Sequence, residues 1–421
     1  MAADVKRNLQ KNAKNDEKLC GGGAHAKRMN EQIVNSSFFW YTERKKELFA
    51  LKELLDWMEY IEDIRQPRKV RHKLKDILVI VLFATLANAD DWVEIEMFAR
   101  FHQEYLRKYI KLENGIPSHD TIMRVMSMVS PDVMQQLYQK WQELLNRNEG
   151  EALKKIICID GKTMCSNKRN DEKPLHIVSA WSKEDGYCLG QKATEEKSNE
   201  ITAIPELLDK IQIKGQIVTI DAMGTQKEIA KKIRSKRADY VLALKRNQGN
   251  LYEDVKFYFD EEKKSLRNAE NYRKTQEKAH GQIEIREYYQ TDSIKWLNQR
   301  NEWVGIKSIG MEEKTIINAK GERKEYRFYI SSMKTDIDSF VRAVRGHWSI
   351  ESMHWHLDVT FKEDANHTLD KTAAQNHNII RKWCLSILKP LELMNKKLSM
   401  KKKRFVISLS PILFLEQVLS N

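Results

Sequence analysis

Two aspartates in this 421-residue chain close apolar runs where a carboxylate fits poorly. In KIICIDGKTM, residues 155–164, the run from Ile156 to Ile159 ends on Asp160, followed by Gly-Lys. In QIVTIDAMG, residues 216–224, a second run ends on Ile220, Asp221 and a small residue. Ionised side chains are depleted in strands because they sit badly on a half-buried pleated surface. If the two strands are neighbours, both carboxylates reach one rim, where they repel and resist joint ionisation. A hard divalent cation such as Mg²⁺ removes that conflict and keeps several waters, so two or three carboxylates suffice to hold it. A pair of such ions can activate a nucleophile and stabilise the leaving oxygen of a phosphodiester. The pattern also has a plainer use, since aspartate before glycine often begins a turn after a strand. The residues alone leave both readings open.

A third carboxylate comes from VRAVRGHWSIESMHWHLDVTFKED, residues 341–364, which reads as a helix. At helical spacing His347, Glu351, His354 and Asp358 fall on one stripe, while Ile350, Met353, Leu357 and Phe361 form the apolar stripe that packs on a sheet. Glu351 then lies at the edge of a buried helix, beside Trp348 and Trp355. A solvated glutamate is the plainer alternative. His354 and His356 point to different helix faces, which argues against zinc.

The elements around these residues predict how they are positioned. Residues 1–45 are polar, interrupted by CGGGAHAKRMN, and predict a flexible basic arm. Residues 46–150 show helical spacing throughout, with Pro117-Ser118 and Ser130-Pro131 as helix starts. They predict a helical domain, and a helix-turn-helix or an ordinary bundle fits the spacing equally. From Lys155 the period becomes strand-like: a strand, a hairpin around Asp185-Gly186, a helix, the Asp221 strand, a helix and another strand. That order predicts a mixed sheet with helices on its faces, the order used by ribonuclease H-like folds. The fold class is therefore α+β or α/β: an N-terminal helical domain, then a mixed-sheet domain over 151–385. Residues 246–333 read as a β-rich insertion in it, and 386–421 as a basic tail.

The 73 basic and 60 acidic residues leave a net charge of +13, which favours a polyanionic partner. Arg65 to Lys75 holds six Lys/Arg and no acid, and Arg381 to Arg404 holds nine against Glu392. Such blocks often serve as phosphate-binding surfaces. Five cysteines without a CxxC pair exclude a disulfide framework or zinc ribbon and fit a reducing compartment. The polar start predicts no secretory leader, and the longest apolar segments are too short to span a bilayer.

On DIRQPRKVRHKLKDIL, ENGIPSHDTIMRVMSMVSP, IDGKT, the long segment EEKSNEITAIPELLDKIQIKGQIVTIDAMGTQKEIAKKI, ADYVLALKRNQG, HGQIEIRE, RFYISS and RGHWSIESMHWHLDVTFKEDAN, the chain resembles the H-repeat-associated transposases, a branch of the DDE transposases. The resemblance runs from about Ile61 to Asn366. It implies a helical associated domain followed by a ribonuclease H-like catalytic domain. The family's catalytic, metal-holding acids fall on Asp160, Asp221 and Glu351, which are 61 and 130 residues apart. The cofactor implied is a pair of Mg²⁺ or Mn²⁺ ions. Lys162 is then expected at a phosphate, and Lys245, Asn247, Gln248, Arg345 and His347 along the DNA path. The wider superfamily's Tyr-Arg-Glu-Lys signature is replaced here by Val344, His347, Glu351 and Asp358. The implied activity is DNA cleavage and strand transfer that moves a bacterial insertion sequence. A ribonuclease H-like nuclease without strand transfer and a non-catalytic DNA-binding remnant are the alternatives. The expected partners are element ends and target DNA, with at least a dimer on DNA, in the cytoplasm at the nucleoid, and with neither a membrane nor a small-molecule substrate.

Overall fold

A computed structural model describes residues 53–145, 154–165, 173–194, 200–267, 270–279, 281–394 and 396–413. The arm expected at 1–45 lies outside the described residues.

The N-terminal domain is helical, as its spacing predicts. Helix α1 (Leu74–Leu86) is apolar on all its faces after the first turn, and every residue in it but Lys75 is buried. Around it lie α2 (Trp92–Phe101), α3 (His119–Met126) and α4 (Pro131–Leu145). Asp91 caps α2 by accepting the Glu94 N–H at 2.8 Å, and Ser118 caps α3. This domain shares a core with the sheet domain. Helix α9 (Lys371–Leu388) returns from the far end of the chain and packs among α1, α3 and α4. Its Asn376 amide donates to Met126 O and Val129 O at 2.8 Å each, and Ser386 Oγ lies 2.8 Å from Tyr138 OH.

The sheet has nine strands: β1 (Ile156–Thr163), β2 (His176–Ser182), β3 (Tyr187–Thr194), β4 (Ile217–Ile220), β5 (Asp239–Leu244), β6 (Tyr272–Ala279), β7 (Gln282–Thr291), β8 (Ser308–Asn318) and β9 (Gly321–Ser331). Their order is β3-β2-β1-β4-β5-β9-β8-β7-β6. Strands β1 to β3 form an antiparallel meander. Strands β1, β4 and β5 run parallel, joined through α5 (Glu200–Lys210) and α6 (Lys227–Ser235). This is the mixed sheet with helices on its faces that the element order predicts. The β2–β3 turn places Gly186 at φ +70°, a conformation that glycine adopts freely. Strand β4 reads IVTI and is buried throughout, as an interior parallel strand must be.

The insertion differs from a purely β-rich segment. It opens with a helix, α7 (Gly249–Leu266), whose charged composition hides a buried stripe of Leu251, Val255 and Phe259. Its four strands extend the main sheet instead of forming a separate body, because β9 pairs antiparallel with β5, Leu242 opposite Ile330.

Helix α8 (Ile337–Trp355) follows β9 and runs across the sheet. Asp336 caps it by accepting the Ser339 N–H at 3.0 Å. Ile350, Met353, Leu357 and Phe361 are all buried, as their stripe predicts, and the helix ends in a π-helical turn over His356–Thr360.

The C-terminal segment requires a correction. Instead of a basic tail, it holds α10 (Met400–Leu409), with Arg404 fully buried. Of the nine cations in the second basic block, Arg381, Lys382, Lys403 and Arg404 are buried, so they cannot form a phosphate-binding surface. Their charges are met internally. Lys403 Nζ donates to Leu388 O at 2.7 Å, and Arg404 Nη2 meets Asp90 Oδ1 at 2.7 Å.

Candidate active site

Strand pairing brings the two aspartates together. Ile159 lies opposite Ile220 on the parallel strands β1 and β4, so Asp160 and Asp221 are the next residues on adjacent strands. Asp160 continues β1 opposite Ser179, whereas Asp221 leaves the sheet. Asp221 Oδ1 accepts the N–H groups of Met223 and Gly224 at 3.0 and 3.1 Å. One oxygen of Asp221 thus builds the turn that the plainer reading expects, and the same residue stands beside Asp160.

Helix α8 delivers the third carboxylate. It crosses β1 and β4 closely, with Cys158 Sγ 3.2 Å from Gly346 O and Thr219 Oγ1 3.1 Å from His347 Nδ1. One turn later Glu351 is solvent-exposed, and three residues beyond it His354 Nδ1 lies 3.7 Å from Asp160 Oδ2. The stripe of His347, Glu351 and His354 is thus laid over the two strand ends.

Burial and neighbouring charge shift the titration of these groups. Burial first, then the charges of Asp221, Glu200 and Glu351, push the Asp160 carboxyl up to about 7 against the opposing Gly161 N–H. Partial loss of water raises Glu351 as well, while the Arg327 guanidinium pulls it down. Burial lowers His347 to about 4 and His354 to about 3, so both rings are neutral at pH 7. Carboxylate oxygens are the donor set that suits Mg²⁺ or Mn²⁺. Among the described residues, no three His, Cys, Asp or Glu side chains are drawn together tightly enough to form a ready ligand cluster. The acids converge on one region in an open arrangement.

Sequence reading missed two features of this region. Glu200, at the start of α5, is buried with its Oε1 2.7 Å from His176 Nε2, and His176 Nδ1 lies 2.8 Å from Thr163 Oγ1. A Cβ at Gly161 would collide with both His176 and Glu200, which explains the glycine after Asp160. Nothing in the sequence separates Glu200 from the acids that commonly open helices. The other missed residue is Arg327 on β9, whose guanidinium lies 4.5 Å from the Trp348 ring centroid.

The remaining sequence candidates are placed as follows. Lys162 is largely buried and held by Asp358, Asp364 and Glu363 at 2.7, 3.1 and 3.2 Å, so it is engaged within the protein. The side-chain amides of Asn247 and Gln248 donate to Ala222 O at 2.7 Å and Thr225 O at 2.5 Å, which fastens the turn that carries Asp221. Lys245 is exposed just before them. Arg345 pairs with Glu277 of β6 at 2.7 Å, and His347 is half-buried against β4. His356 caps no strand end and bonds within its own turn, its Nδ1 3.2 Å from Thr360 Oγ1.

Six depressed histidines carry a pH consequence. His72, His102, His347, His354, His356 and His377 all titrate below their usual value of 6.5, chiefly through burial. The unfolded chain therefore takes up protons first as pH falls through 6.5, and stability is lost below that value. Asp160 works in the opposite sense over part of the range. Urea unfolding is expected to show a net loss of roughly 3 kcal/mol between pH 7.5 and pH 5. A flat response would mean that these rings keep access to water.

A family model for a transposase DDE domain matches residues 151–387, and one described as DDE_Tnp_1-associated matches residues 55–142. Putative transposase YncI of Escherichia coli O157:H7 is 40% identical over 386 residues, covering 88% of this chain and 95% of its own length. H repeat-associated putative transposase YhhI of Escherichia coli K12 is 38% identical over 347 residues, covering 80% of this chain and 90% of its own length. Among solved structures, a piggyBac transposase synaptic complex with hairpin DNA aligns over 87% of this chain and 78% of that one, at 11% identity and a TM-score of 0.40.

Proposed function

The chain belongs to the DDE transposases, in the H repeat-associated branch, and from that premise we propose that it cuts DNA at the ends of an insertion sequence and joins them to target DNA. The observation that supports this reading is geometric: the β1–β4 register sets Asp160 beside Asp221 on adjacent parallel strands, under the helix that carries Glu351. Asp160, Asp221 and Glu351 would hold two Mg²⁺ or Mn²⁺ ions. When bound, such ions polarise the phosphodiester and stabilise the attacking and leaving oxygens.

The chain's own part is positioning. Asp160 is fixed by the β1–β2 ladder, with Gly161 pressed against the His176–Glu200 pair. Asp221 is fixed by its own turn, which Asn247 and Gln248 fasten from behind. Glu351 is the exposed member, free to turn toward the two aspartates from its helix. Exposed Lys245 and the Arg327–Trp348 pair beside Glu351 would meet the DNA backbone. Lys162, Asn247 and Gln248 act in this reading as internal supports, while Arg345 and His347 shape the helix that carries Glu351. Pairing of two DNA ends would need at least two copies of the chain.

Incubation with a pre-cleaved terminal DNA end and a plasmid tests this. With Mn²⁺ the expected product is a joined molecule, and excess chelator should stop its formation completely. Hydrolysis without joining would favour a nuclease, and retention of DNA without any reaction would favour a binding remnant. Undiminished joining in chelator would overturn the two-ion reading.

A further inference from the structure

The two basic runs meet different fates in the fold. The later one loses four cations to the interior. The earlier one, Arg65 to Lys75, stays at the surface of the helical domain, just before and into α1. Three of its six cations are matched by acids: Arg65 by Asp63 at 2.5 Å, Lys73 by Glu113 at 3.2 Å and Lys75 by Glu59 at 2.9 Å. Arg68, Lys69 and Arg71 are exposed and meet no acid among the described residues. A second loop, residues 110–115, lies alongside, because the Asn114 amide donates to Arg71 O at 2.5 Å and Glu113 holds Lys73. It carries Lys111, exposed and likewise without an acid among the described residues. Of the other acids nearby, Asp56 stands 4.0 Å from Lys75, and Glu62 lies with Val133 and Gln136 of α4.

Both loops are fastened from inside. Arg65 Nη2 donates to His72 O at 2.9 Å and so closes residues 65–72 into a loop. The buried Asp76 side chain, in the first turn of α1, accepts the Leu112 N–H at 3.3 Å. Leu112 holds φ +47°, a left-handed conformation that is unfavourable for leucine and persists only where the surroundings enforce it. Lys111 is therefore carried on an anchored turn. Four cations on fixed backbone, with the neighbouring acids already paired, leave a local excess of positive charge. The match for it is a row of phosphates, since duplex DNA carries one charge per about 1.7 Å of its axis. Contacts of this kind position a protein on the duplex without reading bases.

The place of the patch in the fold separates it from the carboxylates. It stands at the N-terminal end of α1, whose thirteen residues span about 20 Å. Past the other end of α1, Asp90 meets Lys362 in the turn after α8 at 3.1 Å, and Glu363, next in the chain, holds Lys162 on β1. The length of α1 equals about six base-pair steps of duplex. We propose that Arg68, Lys69, Arg71 and Lys111 form a second DNA contact, on the helical domain, which grips the duplex backbone away from the cut and reads no sequence. This rests on DNA as the partner proposed above, but not on cleavage or joining.

Retention of an unrelated duplex of about 30 base pairs by the full chain, measured without divalent cations from about 50 to 200 mM salt, tests it. Changing Arg68, Lys69, Arg71 and Lys111 together to glutamine breaks no ion pair among the described residues, so the melting temperature should stay within a few degrees of the parent. The slope of log affinity against log salt should become shallower by about 3 to 4, because each neutralised phosphate contributes about 0.9. Affinity at about 100 mM salt should fall by at least about tenfold. The same change of net charge placed on exposed Lys396, Lys397, Lys401 and Lys402 should leave most of the slope in place. An equal loss in both variants would show a diffuse effect of net charge and overturn the patch. An unchanged slope in the first variant, the outcome if the patch serves an acidic protein, would overturn it as well, as would a parent chain that retains no duplex. If the fourfold variant does not fold, Arg71→Gln with Lys111→Gln carries the same test at a slope change of about 2. A parent that retains duplex with the expected slopes but joins no DNA ends in Mn²⁺ would sink the transposition reading and leave this contact standing.

Discussion

Replacing Asp160 with asparagine is expected to abolish DNA cleavage while making the cation-free protein more stable. Loss of one carboxylate from a cation site removes several kcal/mol of charge stabilisation, on the order of a 10³-fold drop in rate or more. DNA retention in a filter or gel assay should change little, because the cations proposed to meet the DNA backbone are other residues. The stability gain follows from the carboxyl's displaced titration. Asp160 titrates near 7 in the folded chain, against 3.8 as its ordinary value. Between those values the folded state holds a proton that the unfolded state has released. Stability therefore falls as pH rises from about 4 to about 7, and stays low above that range. Asparagine escapes this loss. The variant should gain on the order of 3 kcal/mol at pH 8, seen as a melting temperature several degrees higher, and little at pH 4. Millimolar Mn²⁺ should narrow or reverse the ranking, since a cation that binds only the folded parent stabilises it by mass action. A variant less stable than the parent at pH 8 without cations would mean that Asp160 is a structural residue, and would remove the central support of the proposed site.

The second large effect is expected at Arg404. This guanidinium is fully buried: Nη2 meets Asp90 Oδ1 at 2.7 Å and Thr85 O at 2.8 Å, Nη1 reaches Thr360 O, and the group sits 4.3 Å from the Phe361 ring centroid. It ties the end of α1, the α1–α2 junction and the turn after α8 to α10. Arg404→Ala leaves the Asp90 carboxylate buried, with the exposed Lys362 ammonium at 3.1 Å and the Arg381 guanidinium, which donates to Asp90 O at 3.2 Å, left to balance it. The expected cost is about 3–5 kcal/mol in urea unfolding. The double variant Arg404→Met with Asp90→Leu should recover much of that loss, because no buried charge is then left alone. A loss below about 1 kcal/mol in the alanine variant would show that water reaches Asp90 when the arginine is gone.

How much of this was legible in the sequence depended on whether a residue's role is set locally. Asp160 and Asp221 were readable because a carboxylate at the end of an apolar run is already anomalous without any partner in view. Glu351 was readable because its helix carries a strict apolar stripe, which fixes where every other side chain points. Helix α7 was hidden because its three buried residues are diluted by charge. Lys162, Asn247 and Gln248 looked like DNA contacts because a polar side chain near a catalytic motif is read as outward unless an acceptor is known. Their acceptors, at Asp358, Ala222 and Thr225, are defined only by the fold. Arg404 was the hardest, since its partner Asp90 lies 314 residues earlier. A lone cation in a basic run carries no sign of such a distant mate. The associated domain was legible as helical, but not as part of a core shared with the sheet, because α9 joins it from the other end of the chain.

The union of β9 with β5 bears on how such a chain tolerates change in length. Only five residues separate the end of β9 at Ser331 from the start of α8 at Ile337, so the helix bearing Glu351 inherits its heading from the last strand of the insertion. The ribbon joins the main sheet at its root, through β9 and β5, and turns at its tip through Lys320 and Gly321. Residues could be added or removed at that tip with no displacement felt at the root. A single deletion beside Ile330 would instead shift the hydrogen-bond ladder and swing Glu351 out of line with the two aspartates.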